Sequence, residues 1–201
     1  MSTSSGYHHG DLRNALLETA SHIAAEGDPD ALTLRAVARR AGVSHAAAYR
    51  HFADKRDLLQ ALALRGFAAL GDAMASAGDG AEPTLADVAA AYVRFARGHR
   101  VEFRLMYDRA LCAPPGAPDP LADAGARALA GLEEFLGTRC GVPADVREDA
   151  ALAVLSQMHG LATLILETPA LKDVDDARAD ALARRCADFL VLGDPARGAR
   201  S

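Results

Sequence analysis

Apolar residues recur along this chain at three- and four-residue intervals, the spacing that lines one face of an α-helix. Strict strand-like alternation is absent. Leu12, Leu16, Leu17, Ala20, Ile23 and Ala24 mark one face of a first helix, with Asp11 at its positive start and Gly27 at its end. Asp28-Pro29-Asp30 reads as a turn. Thr33 caps a short second helix through Arg40, Ala41-Gly42-Val43 breaks it, and Ser44 caps a third that ends near Phe52. Asp54 and Asp57 are spaced as a capping box opening a fourth. Beyond Gly78-Asp79-Gly80 and Pro83, the spacing predicts helices over 84–99, 101–111, 121–138, 143–167 and 174–192, with Gly193 and Pro195 stopping the last. Residues 112–120 form a loop, because four prolines in nine residues forbid a helix.

The third helix is stripped of large side chains. An amphipathic surface helix carries bulky apolar residues inside and long polar ones outside, yet Ser44 is followed by His45 and then Ala46, Ala47 and Ala48. Wound at about 100° per residue, Ala48 and Phe52 fall on the inner side. Ala46, Ala47, Tyr49 and Arg50 fall outward. Two short helices joined by a glycine-containing turn make a helix-turn-helix unit. Methyl groups on the outer face let a backbone approach the floor of a DNA major groove, and a guanidinium reads guanine or holds phosphate. A close helix–helix contact is the alternative use of such alanines.

Charge favours the first use. The chain carries a formal net charge of −5, but the segment 33–56 holds six basic residues against one acid, a local charge of +5. From Phe67 onward 14 basic residues face 20 acidic ones. A compact basic block on an otherwise acidic chain marks a polyanion partner. The candidate DNA-contacting residues are Thr33, Arg35, Ser44, His45, Ala46, Ala47, Tyr49, Arg50, His51 and Lys55. At 201 residues and 50% hydrophobic composition the chain buries a core without staples. Cys112, Cys140 and Cys186 are odd in number and widely spaced, which excludes a disulfide framework or a cysteine zinc site and suits a reducing cytosol. No signal-peptide pattern and no spanning apolar run is evident, so a cytoplasmic protein without a membrane partner is expected.

The stretch LTLRAVARRAGVSHAAAYRHFADKRDLL, from Leu32 to Leu59, resembles the DNA-binding signature of the TetR (tetracycline-repressor-like) family. The likeness lies in the Ala-Gly-Val-Ser turn, the Tyr-x-His-Phe end of the reading helix and the lysine opening the next helix. YHHGDLRNALL, YVRFARGHRVEFRLMY and LSQMHGLATLILE are similar to a branch whose regulatory domain carries a Trp-x-x-x-His-Gly motif. Here Leu155 stands at the tryptophan position, and Arg100 follows His99 in place of proline. The resemblance implies an all-α fold with a three-helix helix-turn-helix DNA-binding domain in residues 1–53 and a larger helical ligand-binding and dimerisation domain in 54–201. It implies a homodimeric, ligand-responsive transcriptional regulator, usually a repressor, whose partners are a double-stranded DNA operator and a small-molecule effector.

Other residues weigh less. His8-His9 on a polar arm does not make a metal site. Ser156 and His159, three apart on one helix face, invite a reading as nucleophile and base, but no oxyanion or nucleophile-elbow pattern accompanies them. No catalytic residue, metal or cofactor is expected. An architectural DNA-binding protein without an effector is a further alternative. Phe95, Phe103, Met106, Tyr107, Met158, His159 and Thr163 are the candidate lining of an effector pocket, apolar with few polar handles. Leu152, Leu155, Leu161, Leu164, Ile165, Leu182, Phe189 and Leu190 give the last two long helices more apolar surface than a single covering layer needs, and predict a dimer face.

Overall fold

The computed structural model describes residues 9–26, 32–78, 82–171 and 173–190. The side chains of His8, His9 and Asp11, the predicted turn at 27–30, Asp79-Gly80, and the stop at Gly193 and Pro195 lie outside what is described. Among the described residues there are α-helices and short 3-10 turns and no strand. The α-helices are α1 (His9–Ala25), α2 (Leu34–Arg40), α3 (His45–Tyr49), α4 (Lys55–Ala75), α5 (Leu85–Gly98), α6 (Arg100–Met106), α7 (Pro120–Arg139), α8 (Arg147–Glu167) and α9 (Asp176–Asp188). The all-α class expected from the periodicity is the class observed.

Several ends differ from the spacing, each for a local reason. Helix α3 stops at Tyr49 because the chain tightens: the N–H groups of His51 and Phe52 both donate to the Ala48 carbonyl, at 3.0 and 3.1 Å. The helix predicted over 101–111 breaks after Met106. The Asp108 carboxylate accepts from the Ala110 N–H at 2.9 Å and restarts the chain as a 3-10 turn over Arg109–Leu111. Helix α9 begins at Asp176, capped by Asp175, whose side chain accepts from the Arg178 N–H at 2.7 Å.

The chain forms two compact units, Met1–Gly66 with Val101–Leu121, and Phe67–Arg100 with Ala122–Ser201. In the first, Leu16, Leu17, Ala20 and Ile23 of α1 pack with Leu34, Val37 and Ala38 of α2, Ala48 and Phe52 around α3, and Leu58, Ala61 and Leu62 of α4. Each buried leucine or phenylalanine contributes about 1.5–3 kcal/mol relative to exposure. The segment 101–121 belongs to the same unit. Arg65 of α4 donates to Glu102 of α6 at 2.6 Å, and Gln60 donates to the Leu111 carbonyl at 2.7 Å. A Cβ on Gly66 would come within 2.9 Å of Glu102 Cβ and 2.8 Å of the Met106 sulfur, so only glycine lets α4 and α6 approach this closely.

In the second unit α5 is buried almost all round, from Val88 to Ala96, with Arg94 the exposed exception. Such a helix is central rather than covering. It packs on α8 and α9, and the latter is pinned along it by Arg184–Asp87, Arg94–Asp180 and Arg97–Asp176 ion pairs. Thr84 and Asp87 form the expected capping box at its start. On the outer surface of α8 and α9, Leu152 (45%), Leu164 (53%) and Phe189 (80%) are exposed. Ile165 does not join them. It is buried in its own unit, because it falls on the α8 face shared with Val154, Met158 and Ala162.

The expectation that no apolar stretch is long enough to span a bilayer is qualified by two helices. By length and composition Lys55–Ala75 and Arg147–Glu167 both qualify. Core helices pass the same measure, and these two bury Leu58, Leu62 and Leu70, and Val154, Met158 and Ile165.

Candidate nucleic-acid interface

Helices α2 and α3 are held by side-chain caps that leave their outer surfaces open. The Thr33 hydroxyl accepts from the Ala36 N–H at 3.1 Å, opening α2. The turn that follows runs through Gly42, whose φ of 70° is the left-handed conformation glycine tolerates. The Val43 N–H closes it on the Ala38 carbonyl at 3.0 Å. Ser44 then caps α3, accepting from the Ala47 N–H at 3.2 Å. Asp54 opens α4 by accepting from the Asp57 N–H at 2.8 Å. The return bond departs from a strict capping box: Asp57 accepts from the N–H of Ala53, not of Asp54, also at 2.8 Å.

This scaffold leaves Ser44, His45, Ala46, Tyr49 and Arg50 exposed on and beside α3, Thr33 and Arg35 exposed at the start of α2, and His51 and Lys55 half-buried. Ala47 is different. It is only 6% exposed, next to fully buried Ala48, and does not lie on the open face. The helical-wheel placement fails here because α3 has only five residues, too few for an ideal wheel to hold. The open face is therefore Ala46, Tyr49 and Arg50 with the hydroxyl of Ser44 and the imidazole of His45.

The candidate pocket residues are divided between the two units. Phe95, Met158, His159 and Thr163 belong to the second unit; Phe103, Met106 and Tyr107 belong to the first. Phe103 packs edge-on to Tyr107 with ring centroids 5.7 Å apart, and Tyr107 is 40% exposed. Phe95 stacks on His99 at 4.8 Å. His159 Nδ1 lies 3.1 Å from the Tyr92 hydroxyl, and burial pushes the imidazole below its ordinary pKa. That bond, together with the exposure of Ser156, gives no support to a serine–histidine pair. A shallow surface crevice, too tight to enclose a water molecule, lies among Ala89, Val93, Gln157, Met158, Leu161, Ala183 and Cys186. Of the candidate lining only Met158 borders it. Tyr92 was not singled out from the sequence; an isolated tyrosine in an alanine-rich helix carries no pattern that marks it.

The fold and this face define a helix-turn-helix DNA-binding protein. Residues 16–62 match the family of bacterial regulatory proteins of the TetR type, and residues 85–190 match the tetracyclin repressor-like C-terminal domain. The chain belongs to the TetR family and is a ligand-responsive transcriptional regulator. Typical members are non-enzymatic DNA-binding proteins. Among solved structures it is similar to a protein of unknown function from Rhodococcus sp. RHA1, at 35% identity over 92% of this chain and 98% of that one, with a TM-score of 0.68. It is also similar to the TetR family transcriptional regulator PfmR from Thermus thermophilus, at 25% identity over 90% and 96% of the two chains, with a TM-score of 0.64. A tetR-family regulatory protein from Rhodococcus RHA1 shares the fold at 24% identity over 87% and 96%, with a TM-score of 0.62. No curated protein matches the chain in sequence.

Proposed function

We propose that this regulator is a repressor: a homodimer that holds a palindromic operator and leaves it when a small hydrophobic effector binds. The observation that carries the DNA part is the face of α3. A serine-capped helix with a bare methyl at Ala46, flanked by exposed His45, Tyr49 and Arg50, suits close entry into a major groove. Arg50 reads a base edge or a phosphate. Tyr49, His51, Lys55, Thr33 and Arg35 hold the backbone on either side. In this reading residues 1–53 read DNA and 54–201 carry regulation.

Leu152, Leu164 and Phe189 supply the apolar centre of a two-fold contact, with half-buried Leu155, Leu161, Leu182 and Leu190 around them. A two-fold protein then requires a two-fold operator, its half-sites about one helical turn, some 34 Å, apart. The effector is small and largely apolar with one or two hydrogen-bonding groups, and His159 is its polar handle. An effector that prefers the non-binding arrangement by about 1–3 kcal/mol releases DNA by roughly 5- to 150-fold.

The test is footprinting of the full-length protein on the DNA flanking its own coding region, followed by a small-molecule screen for release. A protected inverted repeat, lost on adding one compound, is the expected result. Equal affinity for all DNA at every salt concentration would leave an architectural binder instead.

A further inference from the structure

Arg13 sits in the second turn of α1, outside the candidate DNA-contacting residues named so far. Its guanidinium carbon lies 5.2 Å from the centroid of the Phe52 ring, and Phe52 is 1% exposed while Arg13 itself is exposed. We infer that Arg13 is a phosphate-binding residue of the DNA interface, held in place by its stack on Phe52. The inference rests on the DNA-binding reading above and adds a residue from a third helix to it.

Three observations carry it. First, the position is fixed. Phe52 closes the turn between α3 and α4, and is followed within three residues by Lys55 and preceded directly by Arg50 and His51. A guanidinium over that ring therefore lies beside the same turn that carries the candidate backbone contacts. Second, the contact with the ring uses none of the guanidinium's hydrogen-bonding capacity for a carboxylate. A guanidinium carries five N–H donors in a planar fork, and that fork is the geometry that takes phosphate oxygens.

Third, the charge has no internal use. Arg40, Arg65, Arg94, Arg97, Arg139 and Arg184 each pair with an acid, whereas among the described residues Arg13 pairs with none. The two carboxylates nearest in sequence to Phe52 are committed elsewhere: Asp54 accepts from the Asp57 N–H and Asp57 from the Ala53 N–H. An exposed cation pre-ordered on an aromatic ring loses little freedom when an anion arrives.

The plain alternative is that the arginine stem merely covers Phe52. Two variants separate the readings. Arg13→Met keeps an apolar stem over the ring without charge, and Arg13→Lys keeps the charge. Binding of each to the footprinted operator and to random-sequence DNA is measured from about 50 to 300 mM salt, with circular dichroism and melting as fold controls. The expected result is a several-fold loss for Arg13→Met that is equal on both DNAs, with the slope of log K against log salt reduced by about 0.9. Arg13→Lys keeps the slope. An Arg13→Met protein with unchanged affinity and slope overturns the inference and leaves a covering role. A loss confined to the operator also overturns it, since that is a base contact. If the unaltered protein binds no DNA, the functional reading falls first and this one falls with it.

Discussion

Arg65 of α4 donates to the carboxylate of Glu102 at 2.6 Å, and Glu102 is the one buried charged residue among those described. The same guanidinium reaches exposed Glu18 of α1 at 2.8 Å, so one side chain ties α1, α4 and α6 of the first unit together. Burial alone would raise the Glu102 carboxyl. Hydrogen bonds from Arg65, from its own backbone and from Ser21 outweigh that and hold it below the ordinary 4.5. Its folded pKa is depressed, so its contribution to stability is present above about 4.5 and fades as pH falls through the folded value. Arg65→Met leaves a buried carboxylate unpaired and is expected to cost about 3 kcal/mol. The double variant Arg65→Met/Glu102→Leu recovers much of that. Urea melts at pH 7 and pH 4 check both statements: the penalty of the single variant shrinks at pH 4.

The two neighbouring alanines of α3 separate surface from core. Ala46→Glu places a carboxylate against phosphates and is expected to abolish operator binding with melting unchanged. Ala47→Glu puts a charge where Ala47 is 6% exposed, and is expected to lower the melting temperature as well. Lys55→Ala weakens all DNA alike and flattens the salt slope by about one unit if it meets one phosphate. Mobility shifts and thermal melts distinguish the three.

Leu164→Asp and Phe189→Asp act on residues that are 53% and 80% exposed. Neither opens a cavity in its own unit. Each is expected to turn a dimer into a folded monomer with native circular dichroism, and to remove operator binding with it. Sedimentation at micromolar concentration decides. A wild-type monomer there would exclude the two-fold operator.

His159→Phe is expected to keep DNA binding and lose the effector response. It has a pH signature too. Burial lowers the imidazole pKa below the ordinary 6.5, so the unfolded chain takes up a proton before the folded one does. Stability therefore falls as pH drops below about 6.5, and His159→Phe flattens that fall. Melting curves from pH 5 to 8 show it. An unchanged response to an identified inducer would make His159 a packing residue.

Thr84→Ala removes the capping hydroxyl of α5 and is expected to cost about 1 kcal/mol. Asp87 is held at about 2 by the Thr84 hydroxyl first and by Arg184 second. Its share of stability is present above 3.8 and lost as pH falls toward 2. Asp87→Asn flattens acid unfolding in that window, which urea melts between pH 5 and 2 would show.

Local order was legible in the sequence wherever it depends on neighbours along the chain. Thr33, Ser44 and Thr84 cap the helices their spacing announced, and Gly42 turns where only a left-handed residue serves, because these bonds close within three or four residues. The exposed face of α3 was legible for the same reason, apart from Ala47, where a five-residue helix is too short for an ideal wheel.

What the sequence determined by itself is the all-α class, the helix order and the helix-turn-helix unit, since helical periodicity, capping and a glycine turn are local. The tertiary structure alone decided that residues 101–121 join the compact unit of the first 66 residues, that Arg65 finds Glu102 37 positions away, that Tyr92 meets His159 across 67, and that Arg13 lies over Phe52. No local pattern encodes such pairs. They arise when the shapes of the packed helices bring distant residues together, and burial then selects the partners that satisfy each buried polar group.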